Sequence, residues 1–273
     1  MQFALSTYQF VNERLNSHIL DQIGSAGFGE MEIFAARQHL DYYDPYHVRD
    51  VAQWFNDHGA TLASLHAPLF GDTDWGRLSG LAISVAYLER GLRIKSMDEI
   101  KRAIEVAEYL PFRHLVLHLG LPGEEYDLQK FDAALTSLEH LQIFAKERGA
   151  ELLLENIPNQ LGTPERLLEF LQYTRLDVKI CFDTGHAHMS GGVQPAFQVL
   201  KEHVVCAHLH DNHREKDEHL MPFDGDIDWA QTLRDFRAVP SRFPMVLELH
   251  NYGREVTTLP KVLEVIERME SLR

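Results

Sequence analysis

Short, nearly continuous apolar runs recur along the chain, and a segment with helical spacing follows each one. The runs are Phe3–Ser6, Met31–Phe34, Thr61–His66, His114–Leu119, Leu152–Asn156, Lys179–Asp183, Val204–His210 and Met245–His250. Their centres (FALS, EIF, LVLHL, LLLEN, VVCAH, VLELH) suit strands covered on both faces, since regular alternation with polar residues belongs to strands with one face in water. The intervening segments carry helix signals. Asp127 can cap a helix in which Leu128, Phe131, Leu135, Leu138 and Leu141 share a face. Ser96-x-x-Glu99 reads as a capping box before a helix over Ile100–Tyr109. Thr163-Pro164 reads as an N-cap followed by proline, and Asp228 with Gln231 opens another helix. Eight strand–helix units of about 30 residues imply parallel strands with right-handed crossovers, and eight such strands close a barrel. The expected fold is a single (β/α)8 TIM barrel over residues 1–273. An open doubly wound sheet is the alternative, and no glycine-rich strand-to-helix turn supports it.

One connection is abnormally long. From Pro68 to Met97 there are about thirty residues between a strand and its helix, where 2–6 is typical. The stretch holds GDTDWGRLSG, readable as a lid or substrate loop, and LAISVAYLERG, readable as an extra packed helix.

Composition narrows the chemistry. With 26 Lys+Arg against 41 Asp+Glu the net charge is −15, which disfavours a wide phosphate-binding face or an anionic membrane partner. A small local site is less constrained, because a bound cation reverses the charge there. No stretch approaches the ~18 apolar residues of a membrane span. The N-terminus lacks a basic head followed by an apolar run, so a cytoplasmic location is expected. Two cysteines, Cys181 and Cys206, exclude a disulfide framework and fit a reducing compartment. Both are expected to point into the barrel as buried thiols. Sixteen histidines stand out, many of them at the ends of apolar runs.

In an eight-stranded α/β barrel the site lies at the C-terminal strand ends. Strand 3 ends in His66, strand 4 carries His118, strand 5 ends in Glu155, and strand 6 ends in Asp183 with His186 and His188 just beyond. Strand 7 carries His208 and His210, with Asp217 and His219 in the following loop; strand 8 carries Glu248 and His250. Nitrogen and carboxylate donors from separate rigid elements build sites for Zn²⁺, Mn²⁺ or a similar divalent ion. The spacing separates layers. Glu155, Asp183, a strand-7 histidine and Glu248 can ring one ion. Glu155 can bridge to a second held by His66 and His118, and His186, Asp217 and His219 can hold a third. Two close ions suit phosphate-ester hydrolysis. One ion flanked by two glutamates suits enolisation, with Glu155 or Glu248 moving the proton.

The motifs SLHAP, VLHLG, LLLENIPN, CFDTGHAH, AHLHDNHREKDEHLMPFDGDIDW and LELH resemble those of the xylose-isomerase-like TIM-barrel superfamily, which holds sugar isomerases and epimerases together with endonuclease IV. The resemblance spans nearly the whole chain. Its isomerase members imply metal ligands at Glu155, Asp183, the strand-7 histidine and Glu248, with the two glutamates as the acid–base pair. Endonuclease IV implies His66, His118, His186, Asp217 and His219 as ligands of additional zinc ions, and all nine positions match. The strand-7 ligand is expected at His208, three residues before Asp211, with His210 close behind as a support for the ligands or a substrate contact. The chain departs from endonuclease IV after His66-Ala67-Pro68, where it reads LFGDTDWGR instead of a Tyr- and Asn-bearing loop that penetrates DNA. Arg37, Arg77, Arg90 and Arg93 are the candidate phosphate contacts, with no basic stripe.

The leading expectation is therefore an enzyme, a metal-dependent isomerase or epimerase of a small sugar or sugar phosphate, holding one to three Zn²⁺ or Mn²⁺ ions. The rival is a multi-zinc phosphodiesterase of the endonuclease IV type; a third reading is a non-catalytic sugar-binding barrel. Nucleic acid is disfavoured as a partner, no membrane is expected, and an oligomer is left open. Trp75 and Arg77 are candidate substrate contacts, as are Asn156, His188 and His250. Asp224 and Asp226 fit a glycine-centred turn that requires no metal.

Overall fold

The computed structural model describes residues 2–71, 81–250 and 258–272. Eight parallel strands close a barrel in sequence order: β1 (Phe3–Ser6), β2 (Glu30–Phe34), β3 (Thr61–His66), β4 (Phe112–His118), β5 (Glu151–Glu155), β6 (Lys179–Asp183), β7 (Val204–Leu209) and β8 (Met245–Leu247). β8 pairs with β1 through Phe3↔Met245 and Leu5↔Leu247, so no edge is left open. The doubly wound alternative is thereby excluded. Nine helices among the described residues surround the barrel: α1 (Ser17–Ser25), α2 (Pro45–His58), α3 (Arg90–Ile104), α4 (Leu128–Lys146), α5 (Pro164–Tyr173), α6 (Thr184–Met189), α7 (Val193–Leu200), α8 (Trp229–Ala238) and α9 (Leu259–Ser271).

Three helix starts follow their sequence signals. Asp127 accepts from the Gln129 and Lys130 amides, Thr163 from Arg166, and Asp228 from Gln231. The capping-box expectation is overturned. α3 begins six residues earlier than Ser96, at Arg90, where Glu89 accepts from the Gly91 and Leu92 amides. Ser96 is buried inside this helix, with its Oγ accepting from the Ser84 amide at 3.1 Å, and Glu99 accepts from the Tyr42 and Tyr43 hydroxyls. The extra helix over LAISVAYLERG is also absent. Leu81–Glu89 runs irregularly, with Ala82 bridged antiparallel to Phe70, and only the last two residues of the motif join α3. On α4, Phe131, Leu138 and Leu141 are buried as expected and Leu135 is partly buried, but Leu128, in the first turn, is exposed.

The barrel interior explains how the chain presents its chemistry. Ala4, Val116, Leu153, Cys181, Cys206 and Val246 form an apolar layer, each from a different strand. Cys181 and Cys206 are register partners and buried, as expected. Side chains on one face of a strand recur every two residues. Two residues beyond this layer stand His118, Glu155, Asp183, His208 and Glu248, so the polar layer rests directly on the apolar one. Outside the sheet, Phe55, Phe170, Phe182, Phe197 and Trp229 are fully buried beneath the helices. Each such side chain contributes roughly 1.5–3 kcal/mol, holding the strand ends in place.

Candidate metal centre

Three groups of imidazole and carboxylate donors form among the described residues, two of them sharing Glu155, and a further group joins Cys181 and Cys206 to His208. Within each group, one ligand atom per residue lies within 4.8 Å of all the others. The central group is Glu155, Asp183, His208 and Glu248; the second is His66, His118 and Glu155; the outer group is His186, His210, Asp217 and His219. These are the three sets that sequence spacing separated, with His210 added to the outer one.

Glu155 is the hub. Its Oε2 lies 3.3 Å from His66 Nε2 and 3.2 Å from His118 Nε2. Its Oε1 lies 3.1 Å from His186 Nδ1 and 3.6 Å from His208 Nδ1. His186 Nδ1 is shared with the Asn156 carbonyl at 3.0 Å, and Glu155 Oε1 is left without a hydrogen bond. His208 Nδ1 is similarly orphaned, 3.4 Å from Glu248 Oε2 and 4.0 Å from Asp183 Oδ2. In the outer group Asp217 Oδ2 lies 3.2 Å from His186 Nε2 and 3.1 Å from His219 Nε2, while its Oδ1 has no hydrogen bond. Buried polar atoms are almost always satisfied. Orphans set inside such groups, drawn from hard oxygen and imidazole donors, fit divalent cations.

The electrostatics agree. Every ion-pair partner of Glu155, Asp183, Asp217 and Glu248 among the described residues is a histidine; no lysine or arginine reaches them. Burial opposes charge on His186, His219, Glu155, Asp217 and Glu248, but the partners win. Asp183 and Asp217 raise His186 well above the ordinary imidazole value, and Asp217 raises His219 to about 9. The imidazoles in turn hold Glu155 and Asp217 well below the usual carboxylate range and Glu248 at about 2. His118 shows the opposite: burial outweighs Glu155 and lowers it. The constellation demands positive charge, and His186, His208 and His219 are driven to supply it by taking protons.

Local structure positions each donor. Asp183 caps α6 through the His186 amide, which fixes His186 one turn above it. Asn156 clamps the β5 and β6 ends together: its Nδ2 donates to the Asp183 carbonyl (2.9 Å) and its Oδ1 accepts from the Asp183 amide (2.8 Å). Its amide thus serves the backbone, where sequence suggested a substrate contact. His210 donates toward Asp183 Oδ2 at 3.1 Å and stacks on His219, ring centroids 4.0 Å apart. It fits because residue 185 is glycine; a Cβ there would sit 2.0 Å from His210 Cε1. The loop carrying Asp217 and His219 hangs on buried Asp211. That carboxylate accepts from the Asn212, Phe223 and Ile227 amides and from Trp229 Nε1. Asp224 and Asp226 lie in this loop outside the donor groups.

His188 is buried on α6 and His250 packs against Tyr8; neither joins a donor group. Arg93 braces the Tyr87 and Leu88 carbonyls, and Arg37 lies over the Tyr43 ring with Nη1 near the Gly71 carbonyl. Trp75 and Arg77 fall outside the described residues. Two contributors escaped the sequence reading. Tyr8, after β1, packs its ring at a tilt against Phe34, His219 and His250 and walls one side of the centre. Glu32 of β2 is fully buried, with Oε2 3.0 Å from His208 Nε2. An acid between Met31 and Ile33 in a buried strand was the available signal.

Fold and site together define an α/β barrel that gathers imidazoles and carboxylates on its C-terminal rim. The sequence pattern of the xylose isomerase-like TIM barrel family matches residues 20–273, and the chain belongs to that family. It is 27% identical over 250 residues to an uncharacterized protein of Methanocaldococcus jannaschii, covering 88% of this chain and 80% of that one. A probable endonuclease 4 of Halobacterium salinarum is 28% identical over 237 residues, covering 78% and 82%. Among solved structures, a D-tagatose 3-epimerase-like protein superposes with a TM-score of 0.80 at 23% identity, covering 99% and 97%. The IOLI protein, solved with a zinc atom, also gives 0.80, at 17% identity with 99% and 98% covered. No helix among the described residues is long and apolar enough to cross a membrane.

Proposed function

We propose that this chain is a hydrolase of phosphate esters holding two or three divalent ions, zinc or manganese, of the multi-zinc phosphodiesterase type. The carrying observation is Glu155. Imidazoles flank both of its oxygens, which suits a carboxylate that would bridge two cations; so engaged, neither oxygen would serve to take a proton from carbon. Residues His66 and His118 would hold one ion with Glu155. Asp183, His208 and Glu248 would share the next, and His186, Asp217 and His219 a third. When bound, such ions polarise the ester and activate water at neutral pH. The chain's own residues do the rest: Asp211 and Asn156 keep the donors in register, and Tyr8 with Phe34 gives an apolar wall for the organic part of the ester. The net charge of −15 and the lack of a basic stripe favour a small ester over a long duplex.

The test combines elemental analysis with turnover of bis(p-nitrophenyl) phosphate and of an abasic-site duplex. Two or three metal ions per chain and zinc-dependent release of nitrophenol support the proposal; one ion and no ester cleavage refute it. A second reading is metal-dependent isomerisation or epimerisation of a sugar or sugar phosphate. It is supported by Glu155 and Glu248 both approaching His208 Nδ1, at 3.6 and 3.4 Å, and by the likeness to an epimerase-like protein. Its signature would be solvent deuterium exchange at the carbon beside a ketose carbonyl, abolished by Glu248→Gln.

A further inference from the structure

We infer that Glu32 is a positioning residue that fixes His208 in the ring form whose Nδ1 lone pair faces the central carboxylates. The inference deepens the proposed function, since it rests on the central group being a cation site.

Register brings Glu32 of β2 level with Ser6 of β1 and Ser64 of β3, inside the barrel. Its side chain is fully buried. Oε2 accepts from Ser64 Oγ at 2.7 Å and lies 3.0 Å from His208 Nε2. An ionised carboxylate only accepts hydrogen bonds, so the ring proton of His208 must be on Nε2. A neutral imidazole carries one N–H, which leaves Nδ1 with its lone pair exposed. Nδ1 is the buried orphan, pointing among Glu248, Glu155 and Asp183 at 3.4, 3.6 and 4.0 Å. The two ring nitrogens thus have separate duties: one is held and the other presented.

Filling space does not explain this arrangement. A buried carboxylate is expensive unless its charge is used, and no lysine or arginine pairs with Glu32 among the described residues. Its one ionic partner among the described residues is an imidazole whose far side faces three more carboxylates. Tied to a cation through His208, the negative charge of Glu32 strengthens the ring as a donor, as carboxylate-held histidines do at metal sites. Ser64 sets the rotamer of Glu32 and so completes a chain from β3 through β2 to β7.

The test strips the full-length protein with chelator and titrates it with Zn²⁺ alone by calorimetry, for wild type, E32Q, E32A and S64A. We expect E32A to lose roughly 10- to 100-fold in affinity for one ion while the other ions keep theirs. E32Q should lose less, because its amide oxygen still accepts from Nε2–H. The ring ¹⁵N shifts of His208, read at a pH alkaline enough to leave the ring neutral, supply a metal-independent reading: Nε2–H in wild type and E32Q, a mixture of forms in E32A. Wild-type affinity for every ion in E32A, or a ring protonated at Nδ1 in wild type, overturns the inference. If E32A fails to fold, unchanged affinity in both E32Q and S64A overturns it instead. A wild-type protein that binds no zinc defeats the proposed function; the ¹⁵N shifts then still decide whether Glu32 sets the ring form.

Discussion

Replacing Asp211 with asparagine tests how the outer donors are held. The Asp211 carboxylate is fully buried and receives four N–H groups: Asn212 N at 2.9 Å and Ile227 N at 3.1 Å on Oδ1, Phe223 N at 3.0 Å and Trp229 Nε1 at 2.7 Å on Oδ2. Asparagine keeps the shape but turns one oxygen into a donor. Whichever way the amide faces, two buried N–H groups lose their acceptor and meet a like dipole. Each orphaned group costs about 1–3 kcal/mol, so the substitution should destabilise by about 2–6 kcal/mol. For a chain of this size the melting temperature falls by roughly 2–4 °C per kcal/mol, which places the drop near 8–16 °C at the middle of that range. Because the same loop carries Asp217 and His219, D211N should also bind the outer ion more weakly well below its melting point. Gly225→Ala attacks the same contact from the other side, since its Cβ would lie 2.4 Å from Asp211 Oδ1. Combining G225A with D211A should therefore cost less than the sum of the two. Thermal unfolding by circular dichroism and zinc calorimetry read these effects. A D211N protein within about 0.5 kcal/mol of wild type would refute the reasoning.

Other outcomes follow from the same geometry. Gly185→Ala should displace His210 from Asp183 and weaken the outer ion's binding by at least tenfold, of order 1.4 kcal/mol, as measured by zinc titration. Burial, chiefly, lowers His39 from 6.5 to about 4, away from the rim. A group with a depressed folded value favours the native state above pH 6.5, and that contribution fades as pH falls from 6.5 toward 4. The loss is about 3 kcal/mol, and urea unfolding of H39Q against wild type at pH 7 and pH 4.5 should show the mutant's relative stability improving at the lower pH. Removing divalent ions should lower the melting temperature and zinc add-back should restore it, since an ion at a thousand times its Kd stabilises by about 4 kcal/mol. Glu155→Gln should cost two ions rather than one, because the residue belongs to two donor groups; elemental analysis counts them.

The eightfold recurrence of apolar runs was enough to read a closed barrel, and strand-end placement was enough to collect His66, His118, Glu155, Asp183, His208 and Glu248. Both depend on local period and on chain order, which a sequence carries explicitly. The capping box at Ser96 misled because the same short pattern occurs inside helices. Whether Ser96 caps α3 or is buried in it depends on Ser84, whose amide it receives, and no local signal carries that contact.

By itself the sequence determined the fold class and the strand-end rim on which the candidate donors gather. Only the tertiary structure decided which nitrogen of His208 is held and which is presented, that His210 joins the outer donors where residue 185 is glycine, and that Asp211 and Glu32 serve the site from behind. These facts are relations between strands and loops as much as 176 residues apart, as Glu32 and His208 are. Direction and distance in space come into being when the barrel closes, and chain order does not encode them.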